Sequence, residues 1–180
     1  MTVTRIYLDM DGVACDFVKA SLALFGTTFE KLRPKWPEGE YWMHTVLGIS
    51  EADFWYKLDG EGIPFWSDLA PYPWFDEFYS QLMTVAPITF CTSPGISPSA
   101  CAGKLLWLQE HVGVNCRDFV LTPQKHLLAA PGTVLIDDDL GNCQRFTEHG
   151  GAALAFPQHW NGRVGDFRTV LSSLALIAKD

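Results

Sequence analysis

The chain has 180 residues, enough for one domain with a small insertion and too few for a multidomain machine. Hydrophobic residues make up 48% and charged residues 19%, a balance that supports a sizeable core and excludes a disordered chain. The formal net charge of −8 repels polyanions, so long nucleic acid is not an expected partner.

In chain order, the first apolar run, residues 5–8, predicts a buried strand and ends in Asp9-Met10-Asp11-Gly12-Val13. A helical pattern follows over residues 16–25. From about Gly26 to Leu69 the rhythm breaks into loop-formers such as Pro34, Pro37, Gly48 and Pro64, with no convincing strand. Residues 16–69 are therefore expected to form an inserted helical, aromatic-rich cap, with 1–15 and 70–180 forming an α/β core. Residues 36–79 carry 13 of the 24 aromatic residues. Those rings either fill a satellite core or face a cleft and stack on a flat ligand, and both can hold for different residues.

Beyond the insertion, helical patterns over 75–85, 100–112, 142–149 and 166–178 alternate with short apolar runs at 88–91, 119–121, 133–136 and 152–156. Strand alternating with helix predicts a doubly wound parallel sheet. In the last helix Phe167, Val170, Leu171, Leu174 and Ile177 share one stripe behind an N-cap at Asp166.

In such a sheet ligands collect beyond the carboxyl ends of the strands. The first strand ends in the two aspartates, the second in Thr92-Ser93-Pro94, the third leads to Thr122 and Lys125, and the fourth ends in Asp137-Asp138-Asp139. Up to five carboxylates on one edge repel one another unless a cation sits among them, and a hard divalent ion such as Mg2+ resolves this best. An EF-hand loop is excluded, because Gly12 falls at position four and Ala20 stands at position twelve. No G-x-S-x-G elbow, P-loop or Rossmann glycine fingerprint is present, and the five histidines lack metal-ligand spacing. The five cysteines are odd in number with no C-x-x-C, no window of 18 apolar residues occurs, and the N-terminus lacks a signal-peptide pattern. The expectation is a cytoplasmic protein without membrane association.

Taken together, Asp9-x-Asp11-Gly-Val, Thr92-Ser-Pro, a lysine and Ile136-Asp137-Asp138 resemble the four motifs of the haloacid dehalogenase superfamily. The strings YLDMDGVACDF and TFCTSP, Lys104 followed by Trp107, and LT-x-x-K before LIDD are similar to those of the 5'(3')-deoxyribonucleotidases. The resemblance implies a haloacid dehalogenase type fold with a cap after the first strand, and a Mg2+-dependent phosphatase of (deoxy)ribonucleoside monophosphates. It makes Asp9 the nucleophile and Asp11 the general acid/base. Mg2+ would be held by Asp9, the Asp11 carbonyl and Asp138, with Asp137 in support. Thr92, Ser93, Lys104 and Lys125 would bind phosphate, Lys125 being the lysine that reaches bound nucleotide, and Phe17, Tyr41, Trp42 and Trp55 would enclose the base. The family also suggests a homodimer.

The chain departs from that pattern at Pro123 and Gln124, where an arginine often precedes the lysine, and at Asp139, where an arginine often follows the paired aspartates. The dinucleotide Pro131-Gly132 also lengthens the approach to the last motif. A dehalogenase is disfavoured, because that chemistry has no use for a second acid/base aspartate. A phosphatase of another small phosphoester, or a nucleotide-binding protein without turnover, are the alternative readings.

Overall fold

Five short strands carry the architecture: β1 (Arg5–Leu8), β2 (Ile88–Thr92), β3 (Phe119–Leu121), β4 (Thr133–Asp137) and β5 (Ala152–Ala155). In the computed structural model, which describes residues 2–95 and 97–179, they pair all in parallel in the order β3-β2-β1-β4-β5. The expected doubly wound sheet is thus present; the outermost numbers of the expected core range, 1 and 180, lie outside the described residues. Every residue of β2 and β4 is buried, as befits central parallel strands covered on both faces.

Register positions the chemistry. Leu8 pairs with Phe90 on one side and Ile136 on the other. Asp9 and Asp137 therefore emerge side by side, on either side of the line where strand order reverses, the place where open α/β sheets bind ligands. The Asp9 amide donates to the Ile136 carbonyl (3.0 Å), extending that pairing one residue beyond the assigned strand.

The helices α1 (Phe17–Leu24), α2 (Phe29–Leu32), α3 (Met43–Leu47), α4 (Glu51–Gly60) and α5 (Ile63–Ser67) occupy the segment expected to be inserted. Asp16, Thr28 and Ser50 cap α1, α2 and α4 by accepting from Lys19, Lys31 and Asp53 amides. The core adds α6 (Phe75–Met83), α7 (Pro98–His111), α8 (Leu140–Glu148) and α9 (Phe167–Ile177). Asp166 caps α9 with a capping box, and Phe167, Val170 and Leu174 of the expected stripe are buried.

Two apolar clusters result. The main one gathers Ile6 and Leu8 of β1, Phe75 and Phe78 of α6, Trp107 of α7 and Phe156. The second gathers Val18, Leu22, Trp36, Met43, Phe54 and Leu58, with Trp160 contributed from beyond β5. Trp66 of α5 packs into the main cluster, because α5 lies directly on α7. A Cβ at Gly103 would collide with the Trp66 Cβ and sit 2.8 Å from the Ile63 carbonyl, so only glycine permits this approach. The next residue is Lys104, and this contact fixes where it enters the site.

Candidate active site

The D-x-D-G loop is wound on one carbonyl: Met10 O accepts from the amides of Val13, Ala14 and Cys15 (3.2, 2.8 and 2.9 Å). Gly12 has φ +79°, and a Cβ on it would strike the Asp138 carboxylate and approach the Trp160 ring to 3.2 Å. The glycine is thus required twice, by its backbone conformation and by the side chains that lie against it.

Three buried aspartates, Asp9, Asp137 and Asp138, bring carboxylate oxygens within 4.8 Å of one another. Lys125, itself buried, bridges two of them at 2.8 Å (Asp9 Oδ1) and 2.6 Å (Asp137 Oδ2). Asp137 also accepts from Asn142 Nδ2 (3.1 Å) and the Asp139 amide (2.8 Å), so both its oxygens are engaged by protein groups. Asp138 accepts the indole N–H of Trp160 at 2.6 Å. The third aspartate of the run, Asp139, caps α8 through Gly141 N (2.6 Å) and Asn142 N (3.1 Å).

These charges do not balance. Burial raises the Asp9 pKa, Lys125 pulls it back, and Asp137 and Asp11 push it up again, leaving it at about 7. Burial, then Asp137 and Asp9, raise Asp138 well above the carboxylate range against the opposing Trp160 hydrogen bond. For Lys125, burial favours loss of the proton but Asp137 and Asp9 outweigh it, so the ammonium is held firmly. A second cation is what this donor set lacks. Oxygen-only ligands at close range fit a hard divalent ion such as Mg2+.

Asp11 is turned away from that triad. Its Oδ2 accepts from Lys104 Nζ (2.7 Å), and the same ammonium donates to Thr92 Oγ1 (2.8 Å) and the Ser93 carbonyl (2.7 Å). Lys104 stands over the Trp66 ring, 5.2 Å from its centre, and is nearly fully buried. The two lysines therefore divide: Lys125 lines the open cavity, whereas Lys104 lies behind Asp11 and outside the lining. Pro131-Gly132 stands in a turn that pairs with Thr4 (Thr4 N to Gly132 O, 2.7 Å).

The cavity above the aspartates measures about 330 Å³, within the range that encloses a small organic ligand. Phe17, Tyr41, Trp42 and Trp55 all line it, together with Thr92 and Ser93. Phe17 stacks on Trp66 (5.6 Å, 15°) and lies near Trp55 (6.3 Å, 26°), while Trp42 is half exposed at the mouth. Burial and then Asp138 raise the Tyr41 phenol, which keeps its proton and can donate. The aromatic segment thus both fills a satellite core and lines a cleft: Phe54 and Trp36, each buried in the second cluster, are also among the residues that line the cavity.

A family model described as "5' nucleotidase, deoxy (Pyrimidine), cytosolic type C protein" matches residues 2–174. The chain belongs to this family. It is accordingly a hydrolase of the nucleotidase type, an enzyme acting on phosphoric monoesters. No curated protein matches it. Solved structures similar to it share the fold at low identity. YfnB of Bacillus subtilis, described as a HAD-hydrolase bound to magnesium, is 13% identical with a TM-score of 0.63, all of both chains being covered. A HAD-superfamily hydrolase of Geobacter sulfurreducens is 17% identical with a TM-score of 0.58, covering 96% of this chain and 97% of that one. A HAD family hydrolase of Deinococcus radiodurans, solved with phosphate and sodium, is 12% identical with a TM-score of 0.57, covering 96% and 88%.

Sequence reasoning missed several residues of this candidate site. Trp160 and Gln158, whose amide donates to the Gly12 carbonyl, follow β5, and extending the strand-end rule to that strand finds them. Asn161 donates to both the Asp138 and Phe156 carbonyls (2.8 Å each) and locks the same loop. Asn142 and Arg145 lie on α8, one turn apart, and both face the cavity. Their spacing from the Asp139 cap was the available signal.

Proposed function

We propose that the protein is a Mg2+-dependent phosphatase of (deoxy)ribonucleoside monophosphates that works through an aspartyl-phosphate on Asp9. One observation carries this reading: two carboxylates of a single loop, Asp9 and Asp11, stand at the floor of an aromatic-walled cavity, each paired with a different buried lysine. An Asp9 oxygen attacks phosphorus, and the phosphorus–oxygen bond to the sugar breaks as Asp11 delivers a proton to the departing oxygen. Asp11 then takes a proton from water, whose oxygen attacks the aspartyl-phosphate and frees both Asp9 and orthophosphate.

Lys125, with the Thr92 and Ser93 hydroxyls, supplies donors to the phosphoryl oxygens, where charge spreads in the transition state. Lys104 positions Asp11 and Thr92 from behind. Asp9, the Asp11 carbonyl and Asp138 would hold Mg2+, which when bound neutralises carboxylate and phosphoryl charge, and Asp137 supports them. Phe17, Tyr41, Trp42 and Trp55 offer ring faces to a base. In this reading residues 16–69 are the cap and 1–15 with 70–180 the core, and the cytosolic family name supports a cytoplasmic location; among the described residues no helix is long and apolar enough to cross a membrane.

The test is orthophosphate release from a panel of nucleoside monophosphates and sugar phosphates, with Mg2+ and with chelator. Nucleotide turnover that stops with chelator is expected. Absence of turnover on every nucleotide, with sugar phosphates cleaved, would reject the substrate class.

A further inference from the structure

The nucleotide-facing cavity has two Lys or Arg side chains among its described lining residues, Lys125 and Arg145. Lys125 already divides its charge between Asp9 and Asp137, so the donors it offers a phosphoryl group are not an added positive charge. Arg145 has no carboxylate within 4.0 Å among the described residues, so its charge is uncommitted. Its guanidinium folds back along α8 toward the helix start, where Nη2 donates to Asn142 Oδ1 (2.7 Å). Gly141 makes room for it: a Cβ there would lie 3.3 Å from Arg145 Nη1. Asn142 donates in turn to Asp137 (3.1 Å), so the arginine is held one amide away from the aspartate that anchors Lys125.

The site's charge supplies the reason for this placement. Asp9, Asp11, Asp137, Asp138 and Asp139 set five carboxyl groups against the ammonium groups of Lys104 and Lys125, a formal excess of three negative charges when all five are ionised. A divalent ion still leaves one. A phosphomonoester brings close to two more at neutral pH, and such a dianion needs a further positive group to enter a partly desolvated cavity. Guanidinium suits the task, because its planar fork matches two phosphoryl oxygens and it stays protonated whatever its surroundings.

We infer that Arg145 is a substrate-binding residue that receives the phosphate group of the incoming phosphomonoester. This deepens the proposed function and rests on it for the identity of the ester, though not for the anion. Arg145 is exposed and bonds directly to none of Lys125, Asp9 and Asp137, so its replacement removes only the Asn142 contact and leaves both Lys125 ion pairs in place.

The experiment measures orthophosphate binding to the Mg2+-loaded protein by calorimetry, alongside KM for a nucleoside monophosphate, for wild type, Arg145→Gln and Arg145→Lys. Loss of a charge-assisted contact of this kind weakens binding roughly 10- to 100-fold. Arg145→Gln should weaken orthophosphate by that factor and raise KM similarly, with a flatter dependence of affinity on salt, and Arg145→Lys should recover part of the loss. Orthophosphate affinity unchanged in Arg145→Gln would overturn the inference, and a raised nucleotide KM with unchanged orthophosphate affinity would do so too, by assigning the guanidinium to the base. Because orthophosphate binding needs no turnover, a protein that cleaves no nucleotide but loses phosphate affinity in Arg145→Gln would reject the substrate class and keep this assignment.

Discussion

Replacing the central aspartate by its neutral isostere, Asp9→Asn, should make the metal-free protein more stable, by an amount that grows with pH. In the folded chain the Asp9 pKa is about 7 against an ordinary 3.8, raised first by burial and then by Asp137 and Asp11. Below pH 3.8 the group is protonated in both states and costs nothing. As the pH rises from there the unfolded chain sheds its proton while the folded chain keeps it, and stability falls by about 1.4 kcal/mol per pH unit until pH 7. Above pH 7 the whole loss, on the order of 4 kcal/mol, is in place. Asparagine removes it, and relieves Asp138 of a like charge at the same time. Lys125 keeps Asp137 as its partner at 2.6 Å, so no buried cation is stranded. The advantage of Asp9→Asn in chelator should be about 3 kcal/mol larger at pH 8 than at pH 5, or roughly 6–12 °C in melting temperature for a chain of this size. Urea or thermal denaturation at the two pH values reads this directly. With saturating Mg2+ the wild type gains the binding free energy and the variant, lacking a ligand, gains less, so the gap closes or reverses. An Asp9→Asn protein equally or less stable than wild type at pH 8 in chelator would show that the aspartates are not in electrostatic conflict, and the case for a resident cation would lose its footing.

Further outcomes follow from single contacts. Gly12→Ala should lose about 1–3 kcal/mol of stability from its left-handed backbone alone, and more from the clash with Asp138; equal melting temperatures would contradict the geometry. Trp160→Phe keeps the ring in the second cluster but removes the donor to Asp138, and Mg2+ affinity by calorimetry should fall roughly 10- to 100-fold, with an unchanged constant arguing that Trp160 only packs. Trp55→Ala should impair hydrolysis of nucleoside monophosphates far more than that of a small ringless phosphoester, and equal losses on both would place Trp55 in packing rather than recognition.

The sheet was legible because parallel strands buried on both faces are brief apolar runs punctuated by Asp, Ser, Pro or Gly, and 5–8, 88–91 and 133–136 have little else they can be. The aspartates were legible for the same reason, since an apolar strand delivers Asp9 and Asp137 to a single edge once strands are known to be parallel. The run of short helices between β1 and β2 was visible only as a break in rhythm. Its short helices depend on caps such as Ser50 and Thr28 and on packing around Trp36 and Phe54, so local pattern marks them weakly.

What the sequence hid is the way the strand ends are tied together, and this decides what the site can do. Lys104 and Lys125 look interchangeable as letters, yet one comes from a helix held close by Gly103 and the other from the turn before β4. Their separate partners, Asp11 and the Asp9–Asp137 pair, set apart the two carboxylates of one short loop. Two carboxylates can play acid and nucleophile only if their surroundings differ. Here the difference comes from contacts some 90 and 115 residues distant along the chain, where no reading of D-x-D-G could find it. The loop after β5 adds a third such contact: Gln158 grips Gly12, Trp160 and Asn161 grip Asp138, and His159 reaches the Trp36 carbonyl (3.0 Å) between β1 and β2. One turn of chain therefore contacts both the acidic triad and the lobe whose rings wall the cavity, and it holds Asp138 and Trp36 through adjacent residues.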